Sequence, residues 1–179
     1  MPTCRPRTPQ TWGRFAELGV FANYTPWWHF DDLEGVYIPL FGEDRGGKLY
    51  RCKSVWDTGA IVTWSSDTIA YMDFATWNPF LGMEIGLTRW VTEKTKLPAY
   101  NITDRLFPPA EERMGIEEMV LGYTINGALQ LGIESTKGSI TCGKDADFLV
   151  FDEDLLTAEP EGLSYIEPAA VYFGGTKVK

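Results

Sequence analysis

Histidine is nearly missing from this sequence: His29 is the single one in 179 residues. A site built on several imidazoles therefore cannot be assembled from these residues alone. Cysteine is scarce as well. Cys4, Cys52 and Cys142 are odd in number and far apart. That excludes a disulfide framework and a Cys-x-x-Cys zinc pair, and fits free thiols in a reducing compartment, which points to the cytoplasm. Positive charge is also in deficit, with 16 Lys and Arg against 25 Asp and Glu and a net charge of −9. No basic stripe is present, so nucleic acid is excluded as an expected partner. No apolar run approaches the roughly 20 residues of a membrane span, so a membrane is not expected either. Met1 to Gln10 is rich in proline and arginine without an apolar segment, unlike a signal peptide. Internal repeats and low-complexity tracts are lacking too.

Aromatic residues are in excess, with seven Trp, eight Tyr and ten Phe. They serve either a large core, an aromatic-lined pocket or a surface that expects a partner. Asp152-Glu153-Asp154, with Glu159 and Glu161, reads as a solvated acidic loop. Asn101-Ile102-Thr103 matches a glycosylation acceptor, read as incidental without a secretory signal.

The pattern predicts a helix from Gln10 to Leu18, opened by Thr8-Pro9 and ended by Gly19. A short buried strand, Val20 to Tyr24, stops before Pro26. Trp27 to Asp44 reads as a long loop, a length that is usually functional. A helix over Arg45 to Thr58 leads through Gly59 to a second buried strand, Ala60 to Trp64. This alternation marks an α/β protein with parallel strands. Further helices are expected from Asn78 to about Val91 and from Ile116 to Leu131, with a proline-punctuated connection over Leu97 to Gly115. Beyond Gly138 the pattern turns to strands: Phe148 to Phe151, then a hairpin around Gly174-Gly175.

Two stretches carry a resemblance. One is Gly59-Ala60-Ile61-Val62-Thr63-Trp64-Ser65-Ser66-Asp67, an apolar strand ending in a lone carboxylate. The other is Tyr123-Thr124-Ile125-Asn126-Gly127-Ala128, followed by Gly138-Ser139-Ile140 and by Gly143-Lys144-Asp145-Ala146-Asp147 before a strand. Together they resemble the C-terminal third of the amidohydrolase superfamily, amidohydrolase family 3, in the branch of the N-substituted formamide deformylases. The resemblance covers roughly residues 12 to 179. It implies the last two strands and following helices of a (β/α)8 TIM barrel over residues 1–132, then strands of a small β-sandwich over residues 133–179.

The resemblance implies a role for Asp67 as catalytic proton shuttle and metal ligand or near neighbour, since barrel enzymes place their chemistry at strand C-terminal ends. The alternative is that Ser65-Ser66-Asp67 only caps a turn. The family's other ligands, His-x-His and further histidines, have no match, and the opening Met1 to Arg7 does not look like the strand expected there; the first ten residues read as foreign sequence or an artefact of where the reading frame was opened. One imidazole and one carboxylate fall short of the three protein ligands of a catalytic zinc. His29 is therefore read as a substrate-pocket or loop-packing residue before a metal ligand. Trp27, Trp28 and Trp77 are candidates for lining a substrate pocket. Arg89, which matches an arginine of the family, is a candidate for a structural ion pair or for substrate contact. Asn126 and Asp147 match the family and are read as structural.

The resulting expectation is a metal-dependent hydrolase of C–N bonds in small amide-type substrates, with a divalent metal, zinc above others, in the complete enzyme. The chain itself is expected to be a C-terminal fragment, inactive alone. The alternative is a non-catalytic interaction module that pairs with itself as a homo-oligomer or with a missing N-terminal half, because two buried strands cannot close a barrel. A self-contained α/β domain is the third reading.

Overall fold

The computed structural model describes residues 9–30, 37–67, 77–97 and 106–179. The glycosylation-like tripeptide at Asn101, Cys4, Thr8, the opening seven residues and part of the expected loop and connection lie outside them. Helix α1 (Pro9–Leu18) leads through Gly19, in the left-handed region at φ 62°, to strand β1 (Ala22–Tyr24). A 3-10 turn, Pro26–His29, follows directly. Short helices α2 (Tyr37–Phe41), α3 (Glu43–Gly46) and α4 (Cys52–Trp56) precede strand β2 (Val62–Trp64). The expected helix over Arg45 to Thr58 is thus broken. Gly46-Gly47 weakens it, and Tyr50 takes φ 54° between the two pieces.

Strands β1 and β2 pair in parallel, with Ala22 opposite Val62 and Tyr24 opposite Trp64. Side chains alternate on such a pair. Ala22, Tyr24, Val62 and Trp64 share one face, and the first, third and fourth are buried with Cys52 and Val55 of α4 in the main core. Burial of each large apolar side chain of this kind stabilises by roughly 1.5–3 kcal/mol.

Helix α5 (Pro79–Thr88) starts as expected: Asn78 is its N-cap, accepting from Phe80 N at 3.0 Å, and Pro79 occupies the first turn. Arg89 ends it at φ 53°. The expected helix from Ile116 to Leu131 is two, α6 (Ile116–Tyr123) and α7 (Ile125–Leu131), broken at Thr124 with φ −120° and ψ −97°. The Thr124 hydroxyl donates to the Val120 carbonyl at 2.6 Å, a local bond that competes with helix continuation. Gly122 lies against the Trp64 indole: a Cβ there would stand 2.1 Å from Nε1. Asn126 donates from Nδ2 to the Val62 carbonyl at 3.0 Å, on the edge of β2 that β1 does not use.

The C-terminal part is a three-stranded antiparallel sheet of β3 (Phe148–Val150), β4 (Ala170–Phe173) and β5 (Thr176–Lys177). Gly174 and Gly175, at φ 55° and 78°, make the turn between β4 and β5. Asp147, read from the sequence only as structural, ties this turn: one carboxylate oxygen accepts from Gly174 N at 2.7 Å and the other from the Lys137 ammonium. Both bonds, the first foremost, lower its pKa below the ordinary value. Phe151 packs edge-on against Phe80 of α5 at 5.6 Å and joins this part to the main core. The architecture is mixed α/β. Among the described residues, no helix is long and apolar enough to cross a membrane.

Candidate functional site

A parallel pair brings both strand exits to one side. There the Thr25 and Ser65 hydroxyls meet at 3.0 Å, and Ser65 N donates to the Tyr24 carbonyl at 2.9 Å. A chain of side-chain bonds runs inward from this rim. Ser65 Oγ donates to Asn23 Oδ1 at 2.9 Å, Asn23 Nδ2 to Thr63 Oγ1 at 2.9 Å, and Thr63 Oγ1 to Gln130 Oε1 of α7 at 2.6 Å. Thr63 is 1% exposed, so satisfying its hydroxyl matters. Sequence reasoning considered Ser65 only as part of a turn cap and gave no role to Asn23, Thr25, Thr63 or Gln130. Their signal was the alternation of Asn23 and Thr25 with Tyr24, and of Thr63 and Ser65 with Trp64, which puts the polar set on one face.

Asp67 stands two residues beyond Ser65, exposed, at φ 47°. Its Oδ2 accepts from Trp28 Nε1 at 3.0 Å. Two of the sequence candidates are thereby brought together. Trp27 turns the other way: it is buried against Phe30, with ring centroids at 5.5 Å, and its own indole N–H meets no acceptor among the described residues. It lines, with Pro26, Ser65, Ser66 and Tyr123, a crevice of about 10 Å³, room for no more than a water molecule. Trp77, 60% exposed, sits just ahead of α5.

His29 lies under the rim, 0% exposed. Its ring meets Tyr50 at 5.3 Å, Tyr24 at 6.1 Å and Trp64 at 6.3 Å, and Nδ1 is 3.9 Å from Cys52 Sγ. Burial, with the Arg89 charge second, lowers its pKa to about 3. Burial likewise raises the Cys52 thiol to about 12. The pair is neutral at physiological pH, and no described contact joins it to Asp67.

Arg89 is also 0% exposed. Its position at the left-handed end of α5 aims the guanidinium at backbone carbonyls. Nε donates to Phe107 O at 3.1 Å, Nη1 to Tyr50 O at 3.2 Å, and Nη2 to Leu49 O at 3.4 Å and Pro108 O at 3.2 Å. The expected ion pair is replaced, among the described residues, by this carbonyl clamp. Burial lowers the Arg89 pKa from its ordinary value. An ion pair of this layer is instead half-buried Arg51 with buried Glu112, at 3.3 Å, where Glu112 also accepts from Ser54 N at 3.0 Å. Neither residue had a sequence signal beyond its charge.

Among the described residues, no group of three or more His, Cys, Asp and Glu side chains could hold a metal ion. The rim offers a carboxylate with one committed oxygen, hydroxyls and an indole. It can accept or deliver a proton and hold a polar group; it does not by itself make up a catalytic zinc site.

The sequence profile of the amidohydrolase family matches residues 2–178. An imidazolonepropionase of Shewanella putrefaciens is 45% identical over 53 residues, 30% of this chain and 12% of that protein. An imidazolonepropionase of Shewanella frigidimarina is 52% identical over 40 residues, 22% of this chain and 10% of the relative. YtcJ of Bacillus subtilis, a protein whose name places it among the amidohydrolases, is 26% identical over 155 residues, 86% of this chain and 27% of its own length. The chain thus spans about a quarter of the longest-matching of these relatives, and less of the other two.

Proposed function

Because this chain belongs to the amidohydrolase family, we propose that it forms the C-terminal part of a metal-dependent hydrolase that cleaves C–N bonds in small non-peptide amides or formamides. The observation that carries this reading is Asp67, at the exit of a buried parallel strand, with Oδ2 bound to Trp28 and no protein donor described at Oδ1. When an amide C–N bond breaks, the leaving nitrogen must gain a proton. A carboxylate held at the rim can take one and return it, and Oδ1 of Asp67 has that role here. In this reading residues 1–132 belong to a (β/α)8 barrel and residues 133–179 to a β-sandwich. The protein works in the cytoplasm. Trp28 and Trp77 stand toward the substrate, and Trp27, His29 and Arg89 support the rim from beneath.

The family generally uses a divalent metal, with zinc the favoured ion in this reading. Bound beside the carboxylate, it would activate water and polarise the carbonyl. The described residues do not fit a complete site for it, because a catalytic zinc takes three protein ligands and His29 is enclosed. The chain alone is therefore inactive, and the other ligands come from sequence that it does not contain.

The test is to purify the 179-residue chain, add zinc, and measure bound metal and hydrolysis of N-formylated amines. The expected result is neither tight stoichiometric zinc nor turnover. Tight zinc with turnover that Asp67→Asn abolishes would overturn the inactivity. A second reading, a non-catalytic module that pairs with itself or with a separate N-terminal half, is favoured by one feature: β1 pairs on one side only among the described residues. Light scattering on a size-exclusion column separates the two, since a monomer with a cooperative melt speaks against pairing.

A further inference from the structure

Trp28 and Asp67 are 39 residues apart, and both are set in place before they meet. Trp28 is carried on the turn Pro26–His29, which begins with a proline and whose Trp28 N donates to Thr25 O at 3.1 Å. Its neighbours on both sides, Trp27 and His29, are buried. The backbone that bears this indole is thus anchored at each end, while the ring itself reaches the rim half-buried. Asp67 is anchored too. Ser65 is tied to Thr25, Asn23 and the Tyr24 carbonyl, and the chain then turns through a left-handed aspartate at φ 47°. Such a conformation at a non-glycine residue is unfavourable by about 1 kcal/mol and persists where the surroundings dictate it.

The bond between them runs from an indole N–H to a carboxylate oxygen at 3.0 Å, within the distance range of a well-formed hydrogen bond. An indole offers one donor and no acceptor. It therefore engages one oxygen of the carboxylate, and by fixing Oδ2 it fixes the plane of the group and the direction of Oδ1. A pocket wall acts through the face of its ring; Trp28 presents its N–H edge.

We infer that Trp28 is a positioning residue for Asp67, holding Oδ2 so that Oδ1 faces the reacting group. The role of Oδ1 rests on the proposed function above; the restraint on the carboxylate does not. The two stand or fall in different experiments. Hydrolysis assays decide the first. The second is decided by nuclear magnetic resonance on the 179-residue chain, which needs no turnover.

The chain has seven tryptophans, and the indole N–H signal lost in Trp28→Phe identifies Trp28. In Asp67→Ala this signal moves further than any other indole signal, and its exchange with solvent speeds up several-fold. Carbon couplings across the Asp67 side chain report one χ1 rotamer in the wild type. In Trp28→Phe, which keeps an aromatic ring but deletes the donor, they average over rotamers. A Trp28 signal that ignores Asp67→Ala overturns the inference. So does a single Asp67 rotamer that survives Trp28→Phe, because a wall of the pocket predicts that outcome. Should Trp28→Phe fail to fold, Trp28→Leu, which also deletes the donor, takes its place for both the assignment of the indole signal and the rotamer comparison.

Discussion

The two sheets of this molecule are held by different means. Strands β1 and β2 come from segments 40 residues apart, and no tight turn joins them. All three residues of β2 are buried, and the pair exists because α4, α6 and α7 pack on it. Strands β4 and β5 are joined by two glycines, and their sheet leaves Leu149, Val150 and Phe173 at 44%, 41% and 67% exposure. Here a turn, a backbone ladder, the stacked rings of Phe148 and Tyr172 and the Lys137–Asp147–Gly174 tie act together. Long-range parallel pairing has to recover its loop-closure entropy from packing, whereas a hairpin is nearly assembled by its turn. Damage to buried packing should therefore fall on the first sheet and be large, and loss of a surface tie on the second should be small.

The largest effect is expected at Arg89. Arg89→Met removes the donors of four carbonyls beneath the first sheet. Loss of a buried hydrogen-bonded charge of this kind costs about 3–5 kcal/mol, read as a fall in the urea midpoint. Gly122→Ala comes next. Its new methyl meets the Trp64 indole, a clash worth roughly 1–3 kcal/mol by the behaviour of overpacked cores. The same urea titration should show it, and an effect near zero would mean that α6 is free to back away.

A pH series sharpens the comparison further. The folded state holds His29 down at about 3 against an ordinary 6.5. The unfolded chain thus binds a proton first. Stability from this group is complete above pH 6.5 and falls as the pH drops toward 3, by at most about 1.4 kcal/mol per pH unit. His29→Phe should flatten that portion of the stability curve. The smallest effect belongs to Lys137→Ala, whose partly exposed ammonium is screened by water. The melting midpoint should scarcely move, while exchange of the Gly174 amide quickens.

The two regions also differ in how openly the sequence announced them. The hairpin was legible because Gly174-Gly175 between apolar runs specifies a turn, and Asp147 was legible as structural, though not as the tie of that turn. The parallel strands were legible as short apolar runs, and the two motifs led to Asp67. What the sequence did not reveal is contact between distant side chains. Arg89 takes four carbonyls because the end of α5 turns left-handed, a tertiary outcome. The break at Thr124 follows from a local hydroxyl bond and from the seat of Gly122 on Trp64, where helix periodicity predicted continuity. Trp28 looked like its neighbour Trp27 in the sequence; the tight turn that carries both sends one inward and the other to the rim.

The seat of Gly122 has a mechanical meaning for α6. A helix can creep along a strand only if each step presents a side chain of similar bulk. Sliding by a single position would put Leu121 or Tyr123 where the indole leaves no space for even one methyl group. The axial setting of α6 is consequently keyed like a tooth in a notch, and through the Thr124 break it hands the same setting on to α7, whose Asn126 must find the Val62 carbonyl.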